Sequence, residues 1–258
     1  MEIHKPKAAH SFREFLIEIG TIICGILIAL TLEQAIESLH WRHKAEEAEQ
    51  SMRLELKRDD GPQAYARVAI TGCLNNQLDA IIQAVEAGRD GRDIVRLADA
   101  YEPPLRTWDH QSWDATVSAD VGSHIGSEQL SRWSRIFDLA TMLNAQAARE
   151  VSGLDLLTGG PGSKGALSPE QADRMIRAAK LLKRANYEIG GVARLMLKWS
   201  KPVDAEPSAQ ATADILAEGR ARYGSCVVVP QPDDPRGRSS EFNNGRQMLA
   251  PGSSTDVH

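Results

Sequence analysis

The sequence predicts an all-α protein: an N-terminal transmembrane helix continuing into a stalk, then an irregular helical bundle and a disordered C-terminal tail. Three observations predict it. A predominantly apolar run with one charge extends from Phe15 to Leu32. Beyond it, apolar residues return every three or four positions, the signature of one buried helix face. Strand-like alternation is missing, and Cys226-Val227-Val228-Val229 is too short to build a sheet.

Residues 1–14 form a polar flank that carries Lys5, Lys7 and Arg13. Residues 15–32 hold a single charge, Glu18, and at about 1.5 Å per residue they make a rod of about 27 Å, close to the hydrocarbon thickness of a bilayer. A helix suits that setting because its backbone hydrogen bonds are all internal. A cleaved signal peptide would end in small residues of the Ala-x-Ala type, whereas this run leads straight into Glu33-Gln34-Ala35-Ile36-Glu37. A buried helix of a soluble domain is rarely apolar on every face, and an interfacial helix would show a polar stripe between Ile19 and Leu32. The expectation is an uncleaved signal anchor.

Residues 33–60 contain eight acidic and five basic residues and predict a charged, solvated helical stalk. Ile36, Leu39, Met52 and Leu56 do not hold a heptad, so no long coiled coil is expected. Gly61-Pro62 reads as punctuation, with Pro62 in the first turn of the next helix. Residues 61–229 form the expected bundle. Ala66, Ile70, Cys73, Leu74, Leu78, Ile81, Ile82 and Val85 stripe a helix over 63–87, stopped by Gly88 and Gly91. A short helix follows at 92–100, and 107–119 carries Trp108 and Trp113. Ser127 is a candidate N-cap for a helix to about 157, with Trp133, Phe137, Leu143 and Leu154 facing inward. Ser168-Pro169-Glu170 opens another, which Pro202 ends; a last helix covers roughly 208–222. From Pro230 the chain is rich in Pro, Ser, Gly and Asn, and residues 230–258 are expected to be a disordered tail.

Only Lys and Arg close to the membrane bear on orientation. Lys5, Lys7 and Arg13 before the span slightly outnumber Arg42 and Lys44 close after it, which favours a cytoplasmic N-terminus. Cys24 lies in the span, while Cys73 and Cys226 lie far apart outside it. These two could form a disulfide, which persists in an oxidising compartment, or remain buried thiols; the sequence looks the same for both. The combined expectation is an inner-membrane protein with a periplasmic C-terminal domain.

Residues with possible chemistry are few, and each has a plain structural alternative. Glu18 is an acid within the apolar run, near enough to its start for a boundary role. Thr21, Gly25 and Ala29 recur every four residues, a smooth strip that could pair membrane helices into a homo-oligomer or simply face lipid. His40 and His43 have a metal-compatible spacing but no third ligand nearby, so no metal is assigned. The loop Gly159 to Gly165 contains Gly-Ser-Lys-Gly but lacks the order of a phosphate-binding loop and follows a helix. Asp109, His110, Ser112 and Asp114 supply triad residue types but crowd one short segment, where a polar helix face is the simpler explanation. Trp108, Trp113 and Trp133 fit core packing better than a ligand pocket. No cofactor motif is present, and a net charge of -5 without a basic stripe argues against nucleic acid.

The string Phe12-Arg13-Glu14-Phe15-Leu16-Ile17-Glu18-Ile19-Gly20, then Gly25 to Leu30, Glu33-Gln34 and Trp41-Arg42-His43, resembles the start of uncharacterised single-pass inner-membrane proteins of Gram-negative bacteria. The resemblance covers residues 12–58, with a weaker echo at Thr107-Trp108 and Trp113, and implies an anchor without implying an activity. The functional expectation is a non-enzymatic interaction or sensing module, its partners being the lipid bilayer, a second copy and an unidentified protein or small molecule. The alternative is a membrane-anchored enzyme with a nonstandard site in the helical domain.

Overall fold

The computed structural model describes residues 12–158 and 165–231, and the tail expected beyond Pro230 lies almost wholly outside them. Among the described residues the regular structure is helical, apart from one isolated bridge between Asp90 and Ala166. The helices are α1 (Phe12–Glu55), α2 (Gly61–Glu86), α3 (Gly91–Asp99), α4 (Gln111–Ser118), α5 (Ser127–Thr158), α6 (Pro169–Ser200) and α7 (Ala209–Tyr223). Short 3-10 turns cover Val121–His124, Lys201–Val203 and Gly224–Cys226.

The helix starts follow from local chemistry. Ser168 Oγ accepts from Gln171 N–H at 3.3 Å while Gln171 Oε1 accepts from Ser168 N–H at 2.9 Å, a reciprocal cap with Pro169 beside it. Ser208 caps α7 through Ala211 N–H at 3.1 Å. Asp90 caps α3 through Arg92 N–H at 2.9 Å, and its other oxygen accepts from Gly165 N–H at 3.2 Å, joining the start of α3 to the approach to α6.

Gly61-Pro62 does not end a helix. Phe12–Glu86 is one helix of 75 residues, and the sequence punctuation is absorbed inside it. Pro62 has no N–H for the carbonyl of Arg58, and its ring crowds that carbonyl. The preceding turn opens into a π-turn over Leu56–Asp60, closed by Gly61 N–H on the carbonyl of Leu56. Gly61 is required here. A Cβ would stand 2.6 Å from that same carbonyl oxygen and 3.2 Å from Pro207 Cδ.

The apolar N-terminal part of α1 is long enough to cross a membrane, and none of its apolar window is buried within the protein. The charged segment after it is solvated on one side only. Ala45, Met52 and Leu56 are buried, and Trp41 and Ala48 pack against the same core, because charges flank an apolar stripe at helical spacing. Trp41 stacks on His124 with ring centroids 4.1 Å apart.

Two core clusters follow. The first joins Met52, Leu56 and Val68 to Trp133, Phe137 and Leu143 of α5 and to Ile189, Ala193 and Met196 of α6. The second joins Leu74, Leu78 and Ile81 to Ile94 and Tyr101 and to Leu157, Ala179 and Leu182. Helix α6 packs extensively on both α2 and α5. It lies tight against α2 at Gly190, where a Cβ would lie 2.6 Å from Thr71 Oγ1, 3.3 Å from Cγ2 and 3.4 Å from Cβ. The neighbouring Gly191 has open space. Gly190→Ala is therefore expected to destabilise by about 1–3 kcal/mol through overpacking. Gly191→Ala should be neutral or stabilising by up to about 1 kcal/mol from helix propensity. Denaturant titration of the two variants in detergent checks the contrast.

Candidate functional site

The residues singled out from sequence fall in separate places. Glu18, Thr21, Gly25 and Ala29 lie on the apolar part of α1, where the Thr21 hydroxyl donates to the carbonyl of Ile17 at 2.5 Å and a Cβ on Gly25 would meet no atom within 4 Å. His43 pairs with Glu47 at 3.2 Å, and His40 meets Trp41 edge-on. Among the described residues no group of three His, Cys, Asp or Glu is placed to hold a metal. Residues 159–164 of the glycine loop lie outside the described residues. His110 Nδ1 meets Asp114 Oδ2 at 2.7 Å, one turn apart on α4. Trp108 and Trp133 are buried and Trp113 is half-buried, stacked on Phe137 at 5.8 Å.

Cys73 of α2 and Cys226 are joined by a disulfide, with Cα atoms 5.4 Å apart. Val228 N–H continues the attachment by donating to the carbonyl of Ala69 at 3.1 Å. Just before Cys226, Arg222 reaches Glu102 Oε2 at 2.7 Å and the Tyr223 hydroxyl donates to the carbonyl of Glu102 at 3.2 Å. The C-terminal end of α7 is thus fastened to α2 and to the segment after α3.

That segment borders an open groove of about 510 Å³. Asp99, Tyr101, Glu102, Leu105, Asp155 and Arg222 are among its lining residues. Its apolar and charged groups come from three stretches of chain. Tyr101 is buried and links the groove to a polar network in the core. Asn186 Nδ2 donates to the Tyr101 hydroxyl and to Asn75 Oδ1, both at 3.1 Å, and Asn186 Oδ1 accepts from Arg67 Nη2 at 2.6 Å. The same Nη2 bonds Glu150 Oε1.

All five of these side chains are buried, and Arg67 Nε and Nη1 have no partner. Burial pushes the Glu150 carboxyl upward while Arg67 opposes it, and burial pushes the Tyr101 hydroxyl well above its ordinary value. A proton-transferring role near neutral pH does not suit a tyrosine held that high. No sequence pattern marked this network, because Arg67 and Asn75 on α2, Glu150 on α5, Asn186 on α6 and Tyr101 after α3 come together only in the fold.

A second polar cluster lies at the π-turn. Ser112 N–H donates to Glu55 Oε2 at 2.9 Å and Asp109 N–H donates to Asp60 Oδ1 at 3.1 Å. Glu55 therefore satisfies an orphan N–H in the first turn of α4, while Asp60 holds the backbone just ahead of that helix. Asp60 is fully buried.

No family model, no curated protein and no solved structure matches this chain.

Removing one partner of a buried ion pair leaves the other charge uncompensated, at a cost of about 3–5 kcal/mol. Glu150→Ala is expected to destabilise by that amount. The double variant Arg67→Met with Glu150→Leu should recover most of the loss, since it buries no unpaired charge. Denaturation midpoints of the single and double variants measure the coupling.

Proposed function

We propose that this chain is a single-pass, membrane-anchored interaction or sensing module without catalytic activity. The apolar part of α1 anchors it in the inner membrane, with the N-terminus in the cytoplasm and the helical bundle in the periplasm. The groove bordered by Tyr101, Glu102 and Arg222 receives a protein or small-molecule partner. The observation that carries this proposal is the unbroken helix Phe12–Glu86, whose first part has an apolar window with no buried residue and whose second part packs into both core clusters. A partner that alters the packing of α2 acts on the same rigid element that enters the bilayer.

Two further observations support it. The Cys73–Cys226 bond fits an oxidising compartment. The Thr21, Gly25 and Ala29 strip is exposed on the apolar helix, where close packing with a second copy would report a change to the other side of the membrane. The resemblance over residues 12–58 to single-pass inner-membrane proteins belongs to the same proposal.

The test has two arms in intact cells. Alkaline phosphatase fused after Gln231 should be active and a fluorescent protein at the same place dark; the reverse would place the domain in the cytoplasm. A photoreactive side chain at Leu105, exposed in the groove, should give a defined adduct, whereas one at Leu195, exposed on α6, should not. Equal labelling at both positions would remove the groove from the proposal.

A further inference from the structure

We propose that Asp60, with the Glu55 carboxylate set against it, is a proton-binding site at the junction between the apolar helix and the packed helices, taking up one proton from solvent. The site gives the sensing module one stimulus, and it depends on that function for its output but not for its proton.

The bonding of the pair is incomplete in a specific way. Each carboxylate uses one oxygen on a backbone N–H, Glu55 in the first turn of α4 and Asp60 just ahead of it. The other two oxygens, Glu55 Oε1 and Asp60 Oδ2, are buried and receive no donor. Gln63 Oε1, on the next turn, is a third buried acceptor without a donor, and the buried Ser112 hydroxyl has no partner. An ionised carboxylate can only accept. With both acids ionised, buried acceptors outnumber donors and two negative charges stand close together in a site shielded from water, a costly arrangement. One proton corrects both defects. It removes one charge and converts a carboxylate oxygen into an O–H donor among acceptors that lack one.

The surroundings favour uptake. Burial is the main influence raising the Asp60 carboxyl; its bond from Asp109 N–H opposes it, and the negative charges of Glu55, Asp109 and Asp59 add to the rise. Of the cations nearest along the chain, Lys57 is paired with Asp204 at 3.3 Å, Arg53 bonds the carbonyl of Val203 at 2.9 Å, and Arg58 is exposed to solvent. On α4, Asp114 is paired with His110. Together these effects push the Asp60 carboxyl up to about 7.

The sign follows from linkage. The folded chain binds this proton more tightly than the unfolded chain, so its stabilisation is complete below the ordinary carboxylate range and is lost as pH rises through about 7. Loss of the proton restores like-charge repulsion between Asp60 and the carboxylates of Glu55, Asp59 and Asp109. The strain falls on the one place where the long helix already departs from α geometry.

Difference infrared spectroscopy of the full chain in detergent micelles, between mildly acidic and mildly alkaline pH, tests the site. The expected result is a protonated-carboxyl stretch that disappears with a midpoint near 7. Asp60→Asn should abolish it and flatten the pH dependence of thermal stability across neutrality. Asp59→Asn, at an exposed neighbour, should leave the band in place. Where Asp60→Asn fails to fold, Glu55→Gln removes the adjacent charge and should move the midpoint down. Absence of the band in the parent chain, or its persistence unchanged in Asp60→Asn or Glu55→Gln, would overturn the proposal. Because the titration needs no bilayer and no partner, it can succeed or fail apart from membrane orientation and groove binding.

Discussion

A proline in the middle of a continuous helix is the constraint from which much of this structure follows. Pro62 cannot complete the α ladder and crowds the carbonyl of Arg58. Ending the helix there would separate the apolar segment from the core. Opening one turn keeps the rod whole, and the chain takes that course over Leu56–Asp60. The cost is local: a glycine is needed at position 61, where a Cβ would meet the carbonyl that closes the turn. An aspartate is also placed in the interior. The buried acid then becomes useful, because it holds the backbone just ahead of α4 while Glu55 satisfies an N–H in that helix's first turn. The proline, the glycine, the buried carboxylates and the docking of α4 form one chain of cause.

Farther along the same helix, Arg67 ties α2 to α5 through Glu150 and to α6 through Asn186. An ion pair so deeply buried is weak evidence for stability, since an apolar replacement of similar volume often does as well. What it supplies is register, because an offset of one turn between these helices would strand a charge. The network reaches Tyr101 at the groove, and the disulfide, with Glu102, holds the end of α7 at the groove's rim. The lining of the groove and the packing of α2 therefore share side chains. In the proposed sensing module that shared element would be the helix that also carries the apolar segment.

Much of the helical content was legible in the sequence, for reasons that differ between elements. Ser168-Pro169 marks a helix start through side-chain and backbone rules that act within a few residues, and α6 begins where those rules place it; α5 already includes Ser127 as its first residue, so that serine lies in the first turn rather than at the cap. The apolar stripe over 63–87 placed Cys73 on the inward face. Gly61-Pro62 was misleading because the local rule says to stop, whereas core contacts on both sides hold the helix together. The stripe of Trp41, Ala45, Met52 and Leu56 was hidden among thirteen charged residues between 33 and 60, which mask its period. Arg67, Asn75, Glu150 and Asn186 were invisible for a different reason: a single polar residue on an apolar face says nothing until its partner on another helix is known. Burial of Asp60 was also beyond reach, since it depends on the π-turn.

The most direct measurement is the distance distribution across that turn in the full chain reconstituted in lipid. Spin labels at Glu46 and Asn76, both exposed, are separated by 30 residues of helix. A continuous rod at about 1.5 Å per residue gives a single narrow distribution near 45 Å. A broad distribution at shorter distances would mean that Gly61-Pro62 is a hinge, and that the apolar segment and the core do not move as one body.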